Sequence, residues 1–220
     1  MTDRYKGKYF SVLGDSMSTL QGVSQPEGAE FYALGRKREF GVFTQEDTWW
    51  GMVIDALGGR LLVCDAFSGS TVTRDPLYEY PSYGCSNERT GSLHRFDALP
   101  DVIMVLLGAN DRGMRVAAEG ESAQLWAFEP AYGAMVQKLK NNYPRAEIWC
   151  LSIPTAQSAR AMSPDPYSAA IKRLSQELDC RFIDLTADAA RYSSPDDLHP
   201  DRAGMERLAG VILAQARGNR

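Results

Sequence analysis

Val102-Ile103-Met104-Val105-Leu106-Leu107 is an unbroken apolar run that ends at Gly108-Ala109-Asn110-Asp111. A strand without polar alternation has to be covered on both faces, as in the middle of a parallel sheet with helices above and below. Other apolar runs of strand length stand at residues 9–13, 61–67, 146–153 and 180–185. Stretches of helical period lie between them. In residues 48–57, Trp50, Val53, Ile54 and Leu57 recur at helical spacing, Thr48 is a cap and Gly58-Gly59 a stop. Residues 128–142, 167–178 and 203–216 read the same way. Strands alternating with helices predict right-handed βαβ units, hence an α/β fold with helices on both faces of a parallel sheet.

The chain has 220 residues, no internal repeat and no low-complexity linker, so residues 1–220 read as a single domain. Residues 21–47 and 71–100 carry no clear period and read as long loops or insertions. Loops of that length in a compact domain are often lids or binding loops.

Composition removes several partner classes. Lys+Arg number 24 against Asp+Glu 28, a net charge of −4, and there is no basic stripe of the kind that grips nucleic acid. The one dense basic cluster, Gly35-Arg36-Lys37-Arg38, is followed at once by Glu39 and reads as a solvated loop. No segment reaches the roughly 18–20 apolar residues needed to cross a bilayer. The first residues lack an apolar signal core, so a cytoplasmic location is expected. Cys64, Cys85, Cys150 and Cys180 form no Cys-x-x-Cys pair and lie near no histidine at ligand spacing. They are expected to be reduced structural thiols.

In an open parallel sheet, ligands bind outside the carboxyl ends of the strands. Four polar clusters follow strand ends here: Gly14-Asp15-Ser16, Ser68-Gly69-Ser70, Gly108-Ala109-Asn110-Asp111 and Asp196-Asp197-Leu198-His199-Pro200. A serine at a strand-to-helix turn is a weak nucleophile until a base adjoins it. The chain has only two histidines, His94 and His199. Asp196, three residues before His199, can hold the second ring nitrogen and stabilise the imidazolium. Gly69 offers an unobstructed backbone N–H, Asn110 a side-chain amide and Ser16 its own N–H, the donors an acyl-transfer oxyanion needs.

The minor features read as follows. Asp15 is expected to accept a hydrogen bond within its turn. Asp197 is a solvated neighbour of Asp196 or an alternative orienter, and His94 is structural. Phe31, Tyr32, Phe40 and Phe43 either pack a satellite core or wall a substrate pocket. Arg112 and Arg115 either lie at the surface or meet an anionic or sugar substrate.

In these four blocks, Gly14-Asp15-Ser16-Met17, Phe67-Ser68-Gly69, Gly108-Ala109-Asn110-Asp111 and Asp196-Asp197-Leu198-His199, the sequence resembles the GDSL, or SGNH, hydrolases from residue 9 to about 205. The resemblance implies a three-layer α/β/α sandwich of flavodoxin-like topology on a five-stranded parallel sheet. It implies Ser16 as nucleophile, His199 as base, Asp196 as its partner, and Ser16, Gly69 and Asn110 as the oxyanion hole. Met17 stands where that family usually has Leu, a volume-conserving change. The implied function is a serine ester hydrolase acting through an acyl-enzyme, with no metal or organic cofactor. Its expected substrate is a small-molecule or carbohydrate ester, such as an O-acetyl sugar. Two alternatives stay open: a lysophospholipase or thioesterase, and a non-catalytic ligand-binding domain on the same fold.

Overall fold

The computed structural model describes residues 3–74, 83–120, 125–160 and 164–218. Its sheet has five strands in the order β2-β1-β3-β4-β5, and every neighbouring pair is parallel. The strands are β1 (Tyr9–Gly14), β2 (Arg60–Ala66), β3 (Val102–Leu106), β4 (Glu147–Leu151) and β5 (Arg181–Ile183). Central β3 is buried at every position, as its unalternated sequence requires.

The helices among the described residues are α1 (Leu34–Phe40), α2 (Trp49–Ala56), α3 (Asn87–Gly91), α4 (Ala109–Met114), α5 (Phe128–Asn142), α6 (Pro166–Glu177) and α7 (Arg202–Arg217). Those flanking the sheet fall into two groups, α2 with α7 and α5 with α3 and α6, giving the α/β/α layering. Thr48 caps α2 by accepting from the Gly51 N–H at 3.0 Å. Tyr5, Phe10 and Trp149 pack edge to face beside the sheet, with Phe10 and Trp149 fully buried.

Three helices differ from the sequence reading. Leu34–Phe40 is helical within residues 21–47, yet only Phe40 of it is buried, so it has no apolar period to read. Asn87–Gly91 is helical within residues 71–100, of which 75–82 lie outside the described residues. Ala109–Met114, with the look of a turn, is α4. Its cap, Gly108, has φ +119°, and a Cβ there would lie 2.9 Å from Ile153 Cδ1. Only glycine meets both conditions.

The aromatic residues of the first long segment do not form a satellite core. Tyr32 and Phe40 are fully buried in the main core, Phe31 packs at its edge and Phe43 is half exposed. All four cysteines are free thiols, three of them buried.

Candidate active site

Strand register decides where the site can be. Gly14 at the end of β1 pairs with Ala66 on one side and Leu106 on the other, so the three strands finish level. The chain leaves β1 for β2 on one side and later enters β3 on the other, making β1/β3 the switch point of the sheet. Crevices at such points are where open α/β sheets bind ligands. Ser16 and Asn110 stand just beyond the two strand ends.

Ser16 opens a single 3-10 turn, Ser16–Ser18, in place of the helix that a strand-to-helix turn implies. Three buried residues make no macrodipole, and the Met17 and Ser18 N–H groups are hydrogen-bonded to Asp15. The turn is held from several directions. Asp15 Oδ1 accepts from the Met17 N–H at 3.0 Å, the Ser16 carbonyl accepts from Thr19 Oγ1 at 2.9 Å, and the Ser18 carbonyl accepts from Trp50 Nε1 at 2.9 Å. Burial pushes the Asp15 carboxyl up to about 7, and its Oδ2 has no partner among the described residues. Asp15 therefore has the turn-forming part expected of it.

His199 comes from the loop between β5 and α7. Its Nε2 lies 2.8 Å from Ser16 Oγ and its Nδ1 lies 2.7 Å from Asp196 Oδ2. Asp196 Oδ1 also accepts from the backbone N–H of His199 at 2.7 Å and of Leu198 at 3.1 Å. The Asp-x-x-His spacing thus closes a small ring in which one carboxylate orients both the backbone and the imidazole. Burial works against the Asp196 charge, but the His199 and Leu198 hydrogen bonds outweigh it and hold the carboxyl below its ordinary range. Burial of the imidazole lowers the His199 pKa, opposed by Asp196 and aided slightly by Arg36.

Of the residues around the imidazole, Phe31 and Tyr32 belong to the aromatic set open to a pocket-wall reading, whereas Arg36 and Tyr192 have no signature in the sequence. Phe31 stacks on it with centroids 3.4 Å apart and planes within 12°. Arg36, from the cluster read as a solvated loop, packs on Phe31 and brings Nη1 to 3.8 Å from Asp196 Oδ2. Two buried tyrosines clamp the carbonyls on either side of His199: Tyr192 donates to Leu198 O at 2.6 Å and Tyr32 to Pro200 O at 2.7 Å.

On the other side of the crevice, Asn110 Nδ2 donates to the Ser70 carbonyl at 2.8 Å, which brings Asn110 against the Gly69-Ser70 turn. Gly69 has φ +79° with open space where a Cβ would be. That backbone conformation favours glycine. Asp111 takes no part in the opening: it is buried and accepts from the backbones of Val72 and Thr73, pinning that loop to α4.

The remaining sequence candidates lie elsewhere. Arg112 is bound to Asp165 and to the Pro154 carbonyl, and Arg115 is exposed at the end of α4. Asp197 is exposed with φ +64°, and His94 contacts the Gly91 carbonyl and Tyr143.

A hydroxyl, an imidazole and a carboxylate in series, with Gly69 and Asn110 following other strand ends at the same carboxyl edge, are residue types suited to acyl transfer. The comparisons agree with that chemistry. A family model described as GDSL-like Lipase/Acylhydrolase matches residues 8–216, and the chain belongs to this family of ester-bond hydrolases. No curated protein matches the sequence. A structure described as a GDSL-like lipase from Bacteroides ovatus superposes with TM-score 0.76 at 25% identity, covering 96% of this chain and 99% of that one. Another so described, from Bacteroides uniformis, gives 0.74 at 27% identity, covering 94% of each. A family two carbohydrate esterase from Clostridium thermocellum, solved with cellohexaose, shares the fold: TM-score 0.65, 16% identity, covering 97% of this chain and 65% of that one.

Proposed function

We propose that this hydrolase is a serine esterase working through an acyl-enzyme on small acyl esters, with O-acetyl groups on carbohydrates as the favoured class. The observation that carries the reading is the Ser16–His199–Asp196 relay at 2.8 and 2.7 Å. His199 Nε2 takes the Ser16 proton as Oγ attacks the ester carbonyl, and Asp196 stabilises the imidazolium. The oxyanion is received by the N–H groups of Ser16 and Gly69 and the amide of Asn110. The imidazolium returns its proton to the leaving alcohol, and water then repeats the cycle on the acyl-enzyme.

Small acyl groups are favoured because Ser16 is only 6% exposed, under an imidazole already covered by Phe31. The carbohydrate half rests on family likeness and on the fold shared with a carbohydrate esterase. A longer acyl chain, as in a lysophospholipid or thioester, is the second reading. Exposed Leu198 beside His199 and exposed Leu34 on α1 favour it. No helix among the described residues is long and apolar enough to cross a membrane. A cytoplasmic location is part of the proposal, supported by four free thiols, and residues 1–220 are proposed to form one domain.

The test is a fluorophosphonate label together with turnover of p-nitrophenyl esters of graded length and of acetylated sugars. Labelling and turnover should be present in the wild type and absent in Ser16→Ala. Equal behaviour of the two proteins would return the chain to the class of ligand-binding modules.

A further inference from the structure

Arg89 belongs to α3, within the segment that reads as a loop, and it is only 4% exposed. The mechanism above does not use it. Its Nε donates to Asp65 Oδ1 at 2.7 Å, its Nη1 to Ser70 Oγ, and its Nη2 to Gly14 O at 2.8 Å and Asp65 O at 3.0 Å. One planar fork therefore binds the end of β1, the end of β2 and the turn after β2. Two of the residues it holds adjoin the donors: Gly14 precedes the Asp15-Ser16 turn, and Ser70 follows Gly69 and takes the Asn110 amide on its carbonyl.

We infer that Arg89 is a positioning residue of the oxyanion hole, fixing the spacing between the Ser16, Gly69 and Asn110 donors from behind. The inference rests on the esterase reading and deepens it. Arg89 cannot reach substrate itself, because its donors are spent on protein acceptors inside the fold. Its charge is matched by Asp65, whose other oxygen accepts from Ser92 Oγ at 2.7 Å. Lysine could not replace it, since a single ammonium lacks the fork that bridges three separate segments. Oxyanion donors act only when aimed at the developing charge, and a 1 Å displacement costs about 10²-fold in rate.

Deleting the whole guanidinium leaves Asp65 buried and unpaired, so folding and catalysis would fail together. Ser70→Ala removes one hydroxyl and leaves the buried charge pair in place. Its kcat on p-nitrophenyl acetate should fall about tenfold, and that of Arg89→Lys about 10²-fold. KM should stay within about twofold and the acidic limb of the pH profile should not move, because His199 is untouched. In both variants the backbone amide of Ser16, far in sequence from either substitution, and the side-chain amide of Asn110 should shift in nitrogen-15 NMR spectra. Wild-type kcat in a folded Ser70→Ala protein overturns the inference. If the wild type proved no more active than Ser16→Ala, the esterase reading would fall and the resonances alone would decide the role of Arg89.

Discussion

Replacing Phe31 with alanine uncovers the face of His199 that the ring now closes at 3.4 Å. Burial is the largest cause of the lowered His199 pKa, while Asp196 pulls it upward. With the ring gone and the carboxylate kept, the lowering by burial weakens and the His199 pKa should rise. The base works neutral, so kcat/KM rises with pH to a plateau, and its acidic midpoint reports the imidazole of the free enzyme. In Phe31→Ala that midpoint should move to higher pH. Each whole pH step of movement removes about tenfold from the neutral fraction on the acidic limb, while the plateau changes less. Stability limits the experiment. Truncating a fully buried Phe costs about 3–5 kcal/mol, and Phe31 is only partly buried, so about 2 kcal/mol is expected. That lowers Tm by about 4–8 °C in a protein of this size, leaving the variant folded at room temperature. Arg36→Gln should move the midpoint the same way by less, since Arg36 is the smallest contributor. The assay is kcat/KM against pH on p-nitrophenyl acetate at constant ionic strength. A midpoint that stays or falls in Phe31→Ala refutes the account of how the base is tuned.

Asn110→Ala, measured by kcat on the same ester, should lose about 10²–10³-fold, the effect of one missing oxyanion donor. His199→Ala should abolish turnover, whereas His94→Ala, altered outside the crevice, should keep wild-type kcat. For Asp15, the folded pKa of about 7 stands above the unfolded 3.8. Its contribution to stability is therefore complete below about pH 4 and lost as pH rises toward 7. Thermal melts of Asp15→Asn, which keeps an acceptor for the Met17 N–H, should show a smaller decline over that range than the wild type. Parallel declines would remove Asp15 from the account.

Much of this protein is readable without coordinates because its determinants are local. An apolar run such as residues 102–107 permits only a covered strand, and helical spacing with a Thr48 cap and a Gly58 stop marks α2 within a residue or so. The turn at Gly14-Asp15-Ser16 and the Asp-x-x-His ring are also local, since hydrogen bonds between residues two or three apart build them. Short polar helices escape such reading, because α1 buries only Phe40 and α3 only Arg89 and Thr90. What the fold alone decides is contact between distant segments. His199 meets Ser16 across 183 residues of chain, and Arg89 reaches Gly14 across 75. Phe31, Arg36, Tyr32 and Tyr192 gain their roles only once β1, β2 and β3 finish level and the β5–α7 loop closes over that edge. The physical reason is range. Periodicity, caps and turns act over a few residues, whereas the environment that tunes a base or aims an amide is set by which remote surfaces the packed sheet brings together.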